Sequence, residues 1–551
     1  MNAATVSIAS DSPNKTNRTR LANHHQKVLL KALLEMALSL VPVGALTPAE
    51  KSGTRHLKPC TKSRRIAAVV AGIKRGDDPL GNTYCTIKDP VSRRGAGQTF
   101  TPSGVVATML DWAGSMSRNI SRVVDPGAGT GRYTIAALKR FPRAHAVAVE
   151  FDPYVAILLR ANLAACGLSD RCRVIVGDYR DLKLPSIVGR TLFIGNPPFV
   201  RHHEISPQWK QWYSTGLKKL GASGSQIAGL HLHFFLKTCQ LARLGDLGCF
   251  ITAAEWLDSG YGSALRELLT DNLGGIAVCA AGPELRLFED ALVSAAITAF
   301  APGTVPKEIR FSRFSSLAET RSLSAGRSVL LSEARSQTAW SALYQKRTAG
   351  KSTDQVELGE ICRVSRGQIT GQNSVWIQRK DTPKLPARFL VPTITKAFDI
   401  IRAPDRVIGN KQALRRVISL PSDLDTLLPA ERIQVETFLR WARAEGAHKA
   451  YTAKHRAPWH RVRLDGPGPP IVMTYMRRGP PIFARNKAGA QLLNIAHGLF
   501  PKIPLSESKM AALIRWLNKN VRIEDGRMYA GGLVKFEPSV AMKIRVPRRL
   551  A

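Results

Sequence analysis

Acidic side chains are scarce in this sequence: 41 Asp and Glu stand against 80 Lys and Arg in 551 residues, a formal charge of +39. Solubility does not require such an excess, whose commonest use is neutralising phosphates and drawing in a polyanion. Nucleic acid is therefore the first partner to test, against the plainer alternative of a solvated basic surface. Paired cysteines are missing too. Cys60, Cys85, Cys166, Cys172, Cys239, Cys249, Cys279 and Cys362 include no C-x-x-C pair and no nearby Cys/His quartet, which excludes a disulfide framework and a zinc site of the usual spacing. Long apolar runs are absent as well. The most apolar early stretch, Val28 to Leu46, is broken by Lys31, Glu35 and Pro42, and the first residues lack the charged-then-apolar layout of a signal peptide. No internal repeat is present. Together these absences predict a soluble cytoplasmic protein in a reducing compartment, with no metal and no membrane partner.

At 44% hydrophobic residues the chain can bury large cores, so it is not a disordered chain. At roughly 100–200 residues per domain its length allows about three domains. Residues 1–95 read as a basic helical N-terminal extension. It has a polar, frayed start to about residue 25 and an amphipathic helix from Gln26 to about Leu40, followed by a basic stretch from Lys51 to Arg75. Between 96 and 302 short apolar runs alternate with helical patterns, as a mostly parallel, doubly wound α/β sheet requires. The strand candidates are Val123-Val124, Ala146–Glu150, Arg173–Val176, Thr191–Ile194, Gly248–Thr252 and Ala295–Phe300. Residues 303–354, rich in Ser and Arg, read as a connecting segment with one helix around Ser332–Gln345. The remainder, 355–551, carries 35 Lys and Arg against 15 Asp and Glu, a net of +20, and is the stronger candidate for gripping phosphates.

Three acidic positions and one amide carry the chemistry. Asp125-Pro126-Gly127-Ala128-Gly129-Thr130-Gly131 follows a strand and precedes a helix, and its alternate glycines allow a tight turn that a ligand can approach without meeting a Cβ. Alone, this turn also suits dinucleotide binders. Glu150 ends the second strand about twenty residues on, where an acid can accept both ribose hydroxyls of a nucleoside. Asp178 ends the third, placed to accept from an adenine amino group. Read one by one, these are ordinary surface acids; in this order they describe a nucleoside site.

The segment Gly195-Asn196-Pro197-Pro198-Phe199 ends the fourth strand. Two prolines can simply terminate a strand, but that does not explain an amide before them and an aromatic ring after them. An exocyclic ring amine is a poor nucleophile because its lone pair is delocalised into the ring. Two fixed acceptors, the Asn196 side-chain oxygen and the Pro197 carbonyl, would favour the tetrahedral nitrogen that attacks a methyl group, with the prolines stiffening the loop. Phe199 offers a face on which an extruded base can stack.

The ordered set Phe100-Thr101-Pro102, Asp125–Gly131, Glu150, Asp178 and Asn196–Phe199 resembles the gamma-class N6-adenine DNA methyltransferases of restriction–modification systems, of the Taq and Eco57I type. The resemblance covers about residues 95–302 firmly and the C-terminal part more loosely. It implies a class I, Rossmann-like, S-adenosyl-L-methionine-dependent catalytic domain with an α+β target-recognition domain over 355–551. It further implies Thr101 and Pro102 at the methionine end of the cofactor, with Asp125 and Gly127, Gly129 and Gly131 beside it, Glu150 on the ribose and Asp178 on the adenine. Asn196, Pro197 and Pro198 would form the catalytic loop, Phe199 would stack on the target base, and Phe288 would be a second wall. Phe199 stands where many members have Tyr. Leu230–Phe235 resembles the start of the helix before Gly248–Thr252; its two histidines, His231 and His233, lie two apart on a helix and so point to different faces, which does not suit a shared metal.

In the C-terminal part the glycine-flanked polar segments 364–373 and 531–538 look like pieces of the target-recognition domain. Arg366, Gln368, Gln372, Asn373 and Lys535 are candidates for DNA contact, and Arg477, Arg478, Arg485, Asn486 and Lys487 are weaker ones. Loops that only support the fold are the alternative. The sequence thus predicts a monomeric adenine-N6 methyltransferase of double-stranded DNA, with any cognate restriction endonuclease on another polypeptide, since Asp77-Asp78 followed by Lys88 is too short a pattern for a nuclease centre. The rivals are a methyltransferase of rRNA or of a protein glutamine, and a non-catalytic DNA-binding subunit.

Overall fold

A computed structural model describes residues 13–42, 44–88, 101–282, 285, 287, 294–316, 323–344, 354–529 and 533–550. The chain divides into two compact units, residues 1–346 and 347–551. No helix among the described residues is long and apolar enough to cross a membrane.

The first unit is built on a nine-stranded sheet of β1 Ile120–Pro126, β2 His145–Glu150, β3 Cys172–Val176, β4 Arg190–Gly195, β5 Leu247–Ala253, β6 Gly275–Ala281, β7 Ala295–Phe300, β8 Glu308–Phe314 and β9 Arg327–Leu330. Their order in space is β3-β2-β1-β4-β5-β7-β6-β8-β9. Strands β1 to β5 run parallel, and β7 enters antiparallel to both β5 and β6. Both faces are covered, which is why the central strands read as near-continuous apolar runs. Leu192, Ile194, Cys249 and Ile251 enter one core, and Phe193 and Phe250 enter the other. The chain leaves β1 toward β2 and β3 on one side and later returns to lay β4 on the other. A crevice therefore opens at the carboxyl ends of β1 and β4, the usual ligand position in such sheets.

Two expectations change. The segment 303–354 is more than a connection: β8 pairs in parallel with β6, and β9 pairs antiparallel with β8. In β8 the buried Ile309, Phe311 and Phe314 are interleaved with exposed Glu308 and Arg310, a half-buried pattern hidden by the segment's charged composition. The expected helix there is shorter, Leu331–Ser336, followed by a 3-10 turn at Trp340–Tyr344.

The N-terminal extension forms α1 Pro13–Leu38, α2 Pro48–Thr54, α3 Ser63–Arg75 and α4 Pro79–Ile87. The first helix starts well ahead of the apolar pattern, with a proline in its first turn, where the missing N–H costs nothing. The extension belongs to the same unit as the sheet. Leu33, Leu34, Ala37, Ile73, Leu80 and Tyr84 share one core with Val155, Ile157, Leu158 and Ala161, from the helix Pro153–Ala165 that follows β2.

The second unit is α+β. Its main sheet orders Cys362–Arg366, Ala496–Pro501, Ile471–Thr474, Phe483–Asn486 and Val407–Ile408, joined by smaller sheets and by the helices Pro429–Ala444 and Glu507–Asn520.

Candidate active site

The turn after β1 is shaped by backbone that only glycine adopts cheaply. Gly127, Gly129 and Gly131 have φ of +78°, +55° and +93°. The turn is tied to β2: Gly127 and Ala128 both donate their N–H to the Val149 carbonyl at 2.9 Å, and Gly129 N–H donates to Glu150 Oε2 at 2.8 Å. Asp125 is fully buried and accepts from the Thr134 hydroxyl at 2.6 Å and its N–H at 3.1 Å through Oδ2. Its Oδ1 has no hydrogen-bond donor among the described residues. Burial pushes the Asp125 carboxyl up to about 7.

Glu150 is buried as well, and burial again pushes the carboxyl up to about 7, against hydrogen bonds from Asp152 N–H at 2.9 Å and from Gly129. Asp178 is held by its sequence neighbour Arg180. The guanidinium donates to Oδ1 at 2.9 Å and to Oδ2 at 2.5 Å, and lies 3.9 Å over the Trp209 ring. Both carboxylates thus stand at strand ends in fixed orientations.

The loop after β4 packs directly on the glycine turn. A Cβ added at Gly127 would lie 3.5 Å from Pro198 Cδ, and one at Gly195 would lie 2.9 Å from Asp125 Oδ1, so glycine is needed for β4 to pass that carboxylate. Asn196 Nδ2 donates to the Thr101 hydroxyl at 3.2 Å, which turns the oxygen edge of the amide the other way. Phe199 is half-buried and meets the ring of buried His231 edge-on at 6.4 Å. His231 and His233 do face different surroundings. His233 stacks on Tyr213 at 4.4 Å, and burial lowers the two imidazoles to about 4 and about 3.

These parts surround one cavity of about 590 Å³. Of the residues expected there, Thr101, Gly127, Gly129, Glu150, Asp178, Asn196 and Pro198 line it; Pro102, Asp125, Gly131, Pro197 and Phe199 stand behind or beside it. Phe100 and Phe288 lie outside the described residues. The sequence reading missed Lys88, Arg132, Arg180 and Phe234, which also line the cavity. No spacing rule points to them, because the fold alone brings them to the crevice.

In the second unit the candidates separate. Arg366 and Lys535 meet on one ring, 5.8 and 5.3 Å from the centre of Tyr475, which brings the segments 364–373 and 531–538 together; Gly531 and Gly532 lie outside the described residues. Lys535 also pairs with Glu537 at 2.8 Å. Asn373 lines a polar cleft of about 470 Å³ with Gln378, Arg379, Lys396 and Arg415. Gln368 is exposed beside it in sequence, and Arg478 is exposed on its own strand. Gln372 and Arg477 are turned toward backbone carbonyls, of Glu445 at 3.1 Å and Pro480 at 2.6 Å. Arg485 pairs with Glu507 at 2.6 Å, and buried Asn486 braces the Pro469 and Ala490 carbonyls, so these two serve the fold.

Comparison with known proteins agrees with this geometry. The family model of the Eco57I restriction-modification methylase matches residues 191–274, and that of the C-terminal domain of the type II methyltransferase M.Eco57I matches residues 341–551. The chain is 43% identical over 519 residues to the type II methyltransferase M.XamI of Xanthomonas campestris pv. amaranthicola, covering 94% of this chain and 97% of that protein. The type II methyltransferase M.AccI of Acinetobacter calcoaceticus is 23% identical over 476 residues, 81% of this chain and 84% of its own. The solved structure of the type IIL restriction-modification enzyme MmeI in complex with DNA shares the fold, with a TM-score of 0.51 at 12% identity over 85% of this chain and 70% of that one. The chain belongs to the Eco57I-type methyltransferases of type II restriction–modification systems.

Proposed function

We propose that the chain transfers a methyl group from S-adenosyl-L-methionine to the N6 amine of an adenine swung out of duplex DNA, as the modification half of a restriction–modification system. The placing of Asn196 carries this reading: its amide is fixed on Thr101 at the end of β4, in the same cavity as Glu150 and Asp178 and against the glycine turn. The cavity suits the cofactor. Its volume of about 590 Å³ is that of a small-ligand site, two strand-end carboxylates line it, and buried Asp125 Oδ1 lacks a donor among the described residues.

On this reading Glu150 accepts from the ribose hydroxyls and Asp178 from the adenine amine. Thr101, Pro102, Asp125 and the turn Gly127, Gly129 and Gly131 hold the methionine end. When bound, the cofactor supplies a methyl group already activated by its sulfonium. Asn196 Oδ1 and the Pro197 carbonyl accept from the two hydrogens of the target amine and favour its tetrahedral form, as preorganised dipoles do wherever charge develops. Pro198 stiffens the loop, and Phe199 offsets part of the few kcal/mol that unstacking typically costs. The residues mainly position and desolvate the reactants, and the amine proton leaves to water.

Duplex DNA would be gripped through Arg366, Asn373, Lys535 and the cations of the polar cleft, with Gln368, Gln372, Arg477 and Arg478 as further candidates. We read the enzyme as a monomer that works beside an endonuclease on a separate polypeptide. The test is modification-sensitive sequencing of DNA from a methylation-free cell expressing the chain, together with the variant Asn196→Ala. Site-specific N6-methyladenine should appear with the native chain and vanish in the variant, while S-adenosylhomocysteine binding stays within a few fold. Methyl transfer to RNA or protein instead of DNA would overturn the reading, and so would a fully active variant.

A further inference from the structure

The N-terminal extension borders the cofactor cavity at Lys88 and braces its wall from behind through Asp78 and α4. Asp78 caps α4 by accepting from Gly81 N–H at 2.9 Å. Its other oxygen accepts from the Thr130 hydroxyl at 2.6 Å and from Arg132 Nε at 2.8 Å, so it clamps the far end of the glycine turn from 52 residues upstream. Asn82, one turn into α4, accepts from Arg132 Nη2 at 2.7 Å, and Arg132 Nη1 donates to the Thr101 carbonyl at 3.0 Å. The Asp78 side chain is only 10% exposed and that of Arg132 only 24%, which removes most of the solvent screening from the pair. Two further contacts bind the extension to the same side: Glu50 pairs with Arg160 at 2.9 Å, and the Tyr84 hydroxyl donates to Asp152 at 3.3 Å.

Arg132 also lines the cavity, at the end where Thr101 and the glycine turn lie. The other cavity arginine, Arg180, stands with Asp178, at the opposite strand end of the site. A ligand with a nucleoside at one end and an amino acid at the other brings one carboxylate, and a planar guanidinium already fixed by three acceptors is the group suited to it.

We propose that Arg132 binds the carboxylate at the methionine end of the cofactor, and that Asp78 and Asn82 of the N-terminal extension are the positioning residues that aim it. The extension is then a wall of the cofactor site. This inference rests on the methyltransferase reading above, and it also accounts for Asp78, whose two oxygens are committed to the turn and to its own helix.

The test is calorimetric titration of the full chain with S-adenosylhomocysteine and with its decarboxylated form, which differ in the carboxylate alone. The native chain should prefer the intact ligand by about ten- to a hundredfold, the size of a charge-assisted hydrogen bond. Arg132→Met should bind both alike, with the decarboxylated ligand held within about threefold of its native affinity, which also shows that the variant is folded. Arg132→Lys should restore part of the preference, and Asp78→Asn should reduce the ratio of the two affinities. A native-size preference in Arg132→Met overturns the proposal, as does an equal loss for both ligands, which would mean a purely structural role. Failure of the native chain to bind S-adenosylhomocysteine at all would instead remove the methyltransferase reading, and this inference with it.

Discussion

Burial sets the behaviour of the two carboxyls nearest the glycine turn. Asp125 and Glu150 are both raised to about 7, so between about pH 4 and pH 7 the folded state binds more protons than the unfolded chain. The sign follows directly. Their contribution to stability is complete below the unfolded values and is lost as pH rises toward 7, so the protein without cofactor should be less stable at pH 8 than at pH 5. On the proposed reading ligand binding runs the other way, because the ribose hydroxyls would donate to Glu150 and only its ionised form accepts from both. Affinity for S-adenosylhomocysteine should therefore climb up to about pH 7 and level off above it, while Glu150→Gln should bind about tenfold more weakly at pH 8 with a nearly flat profile, a loss of one charge-assisted hydrogen bond. A slope that survives in Glu150→Gln would assign the titration to Asp125. Phe199 offers a second residue-scale test. Since base stacking is worth about 1–3 kcal/mol, Phe199→Ala should lower kcat/KM by about ten- to a hundredfold and Phe199→Tyr by less than about threefold. Equal effects would show that the ring face does not meet the base.

At the scale of elements, the glycine turn is held by conformation as much as by hydrogen bonds. Gly131 starts its helix at φ +93°, and a Cβ there would stand 2.4 Å from Cδ1 of the fully buried Leu159. Left-handed backbone costs about 1–2 kcal/mol for other residues, and crowding a packed core adds about 1–3. Gly131→Ala should thus lower unfolding stability by at least about 2 kcal/mol in denaturant titration, with a matching loss of cofactor affinity; an unchanged midpoint would show that the turn relaxes freely. The same elements show what could be read in advance. Strands β1, β2, β4, β5 and β7 were visible because burial on both faces gave them apolar stretches, and β3 through its apolar end Val174–Val176; the motif acids fall at or just past strand ends. β6, with the sequence Gly-Ile-Ala-Val-Cys-Ala-Ala, is an apolar run of the same kind, legible in principle but missing from the strand candidates. β8 alternates charge with apolar residues inside an Arg-rich segment, so averaged composition hid it. Asp78 and Arg132 are 54 residues apart, and no local pattern links a helix cap to a guanidinium across a fold.

At the scale of the whole molecule, the excess charge is unevenly spread. Residues 355–551 hold 35 Lys and Arg against 15 Asp and Glu. Some of those cations are already spent within the fold, as Arg485 is on Glu507 and Arg432 on Asp425 and Glu436. Raw charge therefore overstates the surface open to phosphates; the cleft lined by Arg379, Lys396 and Arg415 is one place where cations gather, with Arg379 also paired to Asp381 at 3.4 Å. Each phosphate neutralised releases about 0.9 counterion from duplex DNA, so affinity falls with salt at a slope that counts the contacts. For the native chain, the logarithm of DNA affinity against that of salt concentration should fall linearly with a slope of several. Lys396→Gln and Arg415→Gln, both exposed side chains whose loss leaves the core untouched, should each lower that slope by about 1. Because phosphates carry no sequence, the loss should be equal on cognate and non-cognate duplexes, whereas Asn373→Ala should weaken cognate binding alone if its amide reads a base edge. A native slope near zero would leave the basic residues without a DNA role, and a slope indifferent to both cleft substitutions would move the phosphate track elsewhere in the unit.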